Sequence, residues 1–412
     1  MSPDADAAGA VSSDADAPTD AAADAPVTIA FDAVWTGDGF RGPTTYRLHG
    51  DHLAPIDQTS NPPIPGSTHG LHHLGGTLFP RLTDHHVHLG LVDPAALFRN
   101  GITHAADLGW SPEIASTWLH DDPRWPSVTI AGAFLTARGG YPTRSGWAPS
   151  AAAREVGGPR EARRAVREQV MAGASRIKVA LNSEAGETVD NATLAAIVEE
   201  AVTAGLPVVA HAQGTGQTAR AIHAGVAQLA HTPFSERLSD RVIADAAGRG
   251  MSWISTLDIH GWGAATIESS IAVDNLRRFA AAGGRVLYGT DLGNGPLPLG
   301  VNARELTALL SAGLDGTALL RSIAGERGDG HLSPEAPIGP RITWIPGAPP
   351  VDPAQLPAWL ATARGLHVAD LPGPGPDPGP SPRTHPHAHA PSPHPSPTPS
   401  SPPTSSTEGP LP

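Results

Sequence analysis

A chain of 412 residues, 40% of them hydrophobic and only 16% charged, is long enough to bury a large core and still carry additions outside it. Its net charge of −13 repels phosphate backbones and anionic lipid, and no Lys/Arg-rich stripe reverses that sign, which argues against nucleic acid as a partner. The absence of cysteine excludes disulfides, thiolate nucleophiles and Cys-type zinc sites, so any metal must be held by His, carboxylates or a modified lysine.

No run approaches the roughly 20 apolar residues that cross a bilayer, and the N-terminus lacks a basic segment followed by an apolar one. The chain therefore reads as soluble and cytoplasmic, with no membrane partner. Residues 1–26 are Ala, Asp, Ser and Pro without a basic or aromatic side chain, a composition that predicts a disordered acidic leader. Residues 27–70 open with short alternating runs (VTIAFDAVW, TTYRLHG, HLAPI) broken by Gly and Pro, the pattern of a small β-structure.

Residues 71–325 repeat a rhythm. Short apolar runs at 77–84, 103–107, 128–134, 176–181, 207–212, 228–233, 252–258 and 286–291 predict eight strands. Helical patterns at 160–172, 191–204, 240–248, 273–282 and 302–312 lie between or after them, several ending just before Gly. Strand-then-helix alternation implies a parallel sheet, and eight units in about 250 residues imply an α/β fold of the (β/α)₈ TIM-barrel type. Residues 326–370 read as a C-terminal extension packed on the barrel or the β-structure, with a helix-like stretch PAQLPAWLATARGLHV. From residue 371 a Pro/Ser/Gly/His tail predicts extended, disordered chain. Its His385, His387, His389 and His394 read as part of a solvated linker.

In a barrel of this kind, chemistry sits at the C-terminal ends of the strands. The first run ends in Asp84-His85-His86-Val87-His88, and His86 and His88, two apart on a strand, project to one side as half of a tetrahedral metal site. Lys178 interrupts the apolar run Arg176-Ile177-Lys178-Val179-Ala180. A buried ammonium is costly, so this lysine is expected to be paired, neutral or modified, and a neutral amine can take up carbon dioxide as a carbamate with two ligating oxygens. His211, His231 and Asp291 end the fifth, sixth and eighth runs.

These segments resemble the amidohydrolase superfamily. Pro80-Arg81-Leu82-Thr83-Asp84-His85-His86-Val87-His88 is similar to its first-strand signature, with Arg81 where glycine is common. Gly101-Ile102-Thr103 and Asp107-Leu108-Gly109 are similar to its second-strand pattern. The likeness runs from Leu78 to Leu310 and is nearest to the imidazolonepropionase-like and Xaa-Pro/Xaa-Arg dipeptidase (prolidase-like) branch. It implies His86, His88 and Asp291 on a more buried metal, His211 and His231 on a more exposed one, and carboxylated Lys178 bridging both. The implied reaction is hydrolysis of a small amide, cyclic amide or dipeptide-like substrate by a hydroxide shared between two divalent ions, zinc for a His-rich set, with Asp291 as general acid and base.

Two other readings stay open at this point. One is a mononuclear deaminase or imidazolonepropionase-type hydrolase using His86, His88, His211 and Asp291; the other is a non-catalytic barrel scaffold. A small molecule is the expected partner, and a homo-oligomer is compatible with the chain. After the third run, Arg138 could clamp a carboxylate and Tyr141 could donate to an oxyanion; Asp258 and His260 follow the seventh run and could line the pocket. Asp84 reads as an acceptor for a ligating imidazole or as a cap of the strand end. Asn294 and Glu305 read as helix-surface or capping residues, and His72, His73, His85, His104 and His223 as ordinary polar residues.

Overall fold

The computed structural model describes residues 27–56, 71–325 and 336–372. The leader, most of the tail and its histidines lie outside the described residues. Parallel strands alternate with helices in an α/β fold. One sheet joins Thr83–Val87, His104–Asp107 and Ser127–Ile130. A second orders Ala153–Glu155, Phe134–Thr136, Ile177–Asn182, Val208–Gln213, Gln228–Leu229, Ser252–Ile254 and Arg285–Leu287. Ile177–Asn182 is buried along its whole length, as strands covered on both faces are.

The first sheet is tied to the second at both of its margins. Ser175 N donates to Ile130 O at 2.9 Å, and on the other side His85 N donates to Tyr288 O at 3.0 Å and His88 N to Leu292 O at 2.8 Å. Asp84 reinforces the second tie. Its carboxylate accepts from His86 N (3.0 Å), Thr290 N (3.0 Å) and Thr290 Oγ1 (2.5 Å). Of the two sequence readings for Asp84, it therefore binds no imidazole but clasps the ends of the first and last strands.

The helices fall where their end signals place them. Pro159–Met171 starts with proline at its first turn, where no amide donor is needed. Asp190, Ser239 and Asn302 cap Asn191–Thr203, Asp240–Gly248 and Ala303–Ser311 by accepting from free backbone N–H groups. The helix expected at 273–282 is longer, Ile267–Ala281, because Thr266 and Ser269 form a reciprocal capping box about two turns earlier. No helix among the described residues is long and apolar enough to cross a membrane.

Three expectations change. The run 77–84 is two strands, Thr77–Phe79 and Thr83–Val87, because Pro80 between them has no N–H to continue a ladder. The run 128–134 divides at Gly132, whose φ of 70° turns the chain. The C-terminal extension is only partly helical. Its strands Arg341–Ile345 and Arg364–His367 join Thr77–Phe79, Ala33–Trp35 and Phe40–Arg41 in one five-stranded sheet. A four-stranded sheet orders His52–Pro55, Thr44–His49, Thr28–Phe31 and Leu71–His73, and Ile29, Phe31, Tyr46, Leu78, Ile342 and Val368 share a core there.

Burial pushes the Asp84 carboxyl up to about 7 against the pull of its donors, so each donor matters. Thr290→Val, which deletes the shortest of them, is expected to lower stability by about 1–3 kcal/mol, read as a lower urea midpoint at pH 7.

Candidate metal centre and active-site cavity

One cavity of about 420 Å³ opens at the C-terminal ends of the core strands and is lined by all six residues singled out as metal ligands: His86, His88, Lys178, His211, His231 and Asp291. The His86 and His88 rings lie 5.2 Å apart, His86 and His231 4.7 Å, and His211 and His231 4.8 Å, centroid to centroid. Among the described residues, the donor atoms of His86, His231 and Asp291 all fall within 4.8 Å of one another.

The outer nitrogen of each ring decides what the inner one offers. His86 Nδ1 lies 2.8 Å from Ala230 O and His88 Nδ1 3.1 Å from Gly109 O. A nitrogen facing a carbonyl must carry the proton, which leaves a lone pair on each Nε2. Those lone pairs lie 3.0 and 3.1 Å from Asp291 Oδ1. Burial pulls His86 down to about 4, so a second proton does not relieve the crowding at neutral pH. Acceptors turned on one another this way fit a cation placed among them.

The remaining imidazoles are oriented too. His231 Nδ1 lies 3.0 Å from Thr256 Oγ1, and His211 Nε2 lies 3.1 Å from Gln213 Oε1, leaving the opposite nitrogen of each ring without that partner. Burial pulls His211 down to about 3 and His231 well below the usual histidine range, so both are neutral ligands at pH 7. Lys178 is wholly buried, its Nζ has no hydrogen-bond partner, and it sits 5.5 Å from the Phe134 ring centroid. Burial pulls its ammonium down to about 7.

The proposed substrate contacts divide. Tyr141 lines the cavity, stacks on His211 at 5.0 Å and accepts a hydrogen bond from Trp147; burial pushes its phenol up to about 12, so it remains a donor. His260 also lines the cavity, packed 4.2 Å from the Phe234 ring, and burial pulls it down to about 4. Arg138 is not brought there. Its guanidinium is exposed and lies 3.6 Å from Glu161 at the start of Pro159–Met171, outside the cavity lining. Asp258 turns away as well, held by Arg304 at 2.9 Å and Asn302 at 2.8 Å.

Asn294 has a different place from the helix-surface or capping role read for it. It lines the cavity and donates from Nδ2 to Asp291 Oδ2 at 2.9 Å. Glu305 is buried rather than on a helix surface and accepts from Asp258 N at 2.7 Å. Trp147, Gln213, Phe234 and Ile259 complete walls that the sequence reading did not identify. Only Gln213 carried a usable signal, lying two residues beyond His211 on the same strand face.

The amidohydrolase family matches residues 77–322, well over half of the chain. No curated protein matches it. Among solved structures, the chain is similar to a Xaa-Pro dipeptidase with methionine bound in the active site: 18% identity, 84% of this chain and 99% of the other covered, TM-score 0.67. It is similar to the ochratoxinase of A. niger, with 19% identity, coverage of 84% and 95%, and a TM-score of 0.64. It is also similar to a prolidase complexed with N-methylphosphonate-L-proline, with 20% identity, coverage of 84% and 98%, and a TM-score of 0.61. At such identities the likeness is one of fold.

The depressed Lys178 has a consequence for stability. In the unfolded chain its pKa is about 10.4, so between about 7 and that value the unfolded state holds the extra proton and folding strengthens as pH rises. In metal-free protein, the stability of the native sequence relative to Lys178→Met should grow by roughly 3 kcal/mol from pH 7 to pH 9.5, measured by urea denaturation at each pH. Parallel pH curves for the two proteins would show that Lys178 is not desolvated.

Proposed function

Since the chain belongs to the amidohydrolase family, we propose that it hydrolyses a carbon–nitrogen bond in a small amide, cyclic amide or dipeptide-like substrate, using two zinc ions at the mouth of a closed (β/α)₈ barrel. The closed barrel is supported by the hydrogen bonds from Thr83–Val87 to the segment following Arg285–Leu287 and from Ser175 to Ile130. The observation that carries the functional reading is the convergence of two imidazole lone pairs on the Asp291 carboxylate in a buried cavity.

His86, His88 and Asp291 would hold one ion, His211 and His231 the other, with Lys178 between them as a carbamate. For that, the neutral Nζ adds to the carbon of carbon dioxide and releases a proton, a reaction open to Lys178 because burial keeps much of it unprotonated near pH 7. Bound ions would supply a Lewis acid for the scissile carbonyl and lower the pKa of a water toward ~7. Asp291 takes the proton of the attacking water and returns it to the departing nitrogen, while Asn294 fixes its Oδ2. The Tyr141 O–H donates to the carbonyl oxygen as charge gathers on it, and the hydrogen bond from Trp147 holds that phenol in place.

The second reading is a single-ion hydrolase or deaminase; the grouping of His86, His231 and Asp291 would support one ion with His231 among its ligands, in place of the His211 expected for that reading. Metal analysis of protein purified without chelator separates the readings: two ions per chain are expected, one favours the single-ion site, and a trace alone defeats both. Lys178→Ala should lose metal and turnover together, with acetate or formate restoring part of each. Asp291→Asn should lower kcat by about 10²–10⁴-fold and Tyr141→Phe by about 10–10³-fold, both measured by release of amine.

A further inference from the structure

The cavity walls beyond the six candidate ligands are apolar or uncharged. Leu91, Phe134, Trp147, Phe234 and Ile259 supply the hydrocarbon, and Tyr141, Gln213, His260 and Asn294 supply the polar atoms. Among the described residues, no arginine and no lysine other than Lys178 lines the cavity. Arg138, on the loop after Phe134–Thr136, lies 3.6 Å from Glu161, and Arg304, in the first turn of Ala303–Ser311, lies 2.9 Å from Asp258. Trp147 closes one side, its ring 4.9 Å from His88 and 5.9 Å from Phe134.

From this lining we infer that the site selects a substrate whose amine portion is uncharged and apolar or aromatic, an N-alkyl or N-aryl amide or a lactam, and discriminates against amides of amino acids with a free carboxylate. The inference rests on the hydrolytic reading above and narrows it. A carboxylate on the amine portion, pressed against Trp147 and Phe234 and turned away from the metal ligands, would leave water without a guanidinium or ammonium of the wall to meet it. A phenyl or alkyl group gains from burial against the same surface. The reaction balances with water alone. The carbonyl carbon gains a C–O bond, the C–N bond breaks with its electron pair on nitrogen, and the two protons end on the amine and the acid.

Three matched compounds test this by calorimetric titration of the protein as purified with its metal: N-acetyl-phenylalanine, its carboxamide, and N-phenethylacetamide. The two neutral compounds are expected to bind at least tenfold more tightly than the carboxylate. Trp147→Ala should erase most of that difference by weakening the neutral pair while metal content stays unchanged. Equal or tighter binding of N-acetyl-phenylalanine overturns the inference, as does failure of all three to bind. Amine release is then followed for the same compounds. Selective binding without amine release would leave the selectivity standing and bring down the hydrolytic reading instead.

Discussion

The constraint on which the rest of this structure depends is a crowding of electron pairs. Ala230 and Gly109 carbonyls fix the protons of His86 and His88 on the outer ring nitrogens, so the inner nitrogens and Asp291 Oδ1 face each other at about hydrogen-bond distance with nothing to share. A fold tolerates such an arrangement only if its backbone is over-determined there. Asp84 supplies much of that, binding the His86 amide on the first strand and both donors of Thr290 on the last. Asp291 follows directly, at a φ of 56° in the left-handed region that asparagine and aspartate tolerate better than most residues.

Burial converts that geometry into chemistry. Removing water lowers the basicity of His86, His211 and His231 and leaves them neutral. It also brings Lys178 into a range where the free amine is populated. Neutral imidazoles and a neutral amine are the forms that bind a cation or carbon dioxide, so one physical cause prepares several groups at once. Asp107 extends the same logic to the next loop. Its buried carboxylate accepts from Leu89 N and Gly109 N, fixing the chain beyond His88 and the carbonyl that orients it.

Two buried charged side chains, Asp258 and Arg341, serve the scaffold. Asp258 holds Arg304 and Asn302 beyond the C-terminal end of the seventh strand, and that anchored turn presents Ile259 and His260 to the cavity. Arg341, buried in the flanking sheet, ties the C-terminal strand to the loop at Asp121 and Trp125. Among the described residues, the cavity walls beyond the candidate ligands carry aromatic rings, aliphatic side chains and uncharged polar groups.

What the sequence determined by itself was whatever depends on local period and local burial. Two histidines two apart on a strand must share a face, a lysine inside an apolar run must be desolvated, and proline, glycine and capping residues mark helix ends. Other features needed partners distant in the chain. The division of 77–84 depends on strands at Ala33–Trp35 and Arg341–Ile345 claiming Thr77–Phe79. The fate of Arg138 depends on Glu161, and the inward turn of Asn294 on Asp291. Trp147 and Phe234 sit in loops, where no period sets a direction. Only the tertiary structure decides which way such side chains face, because their orientation is fixed by whichever distant group lowers the energy most.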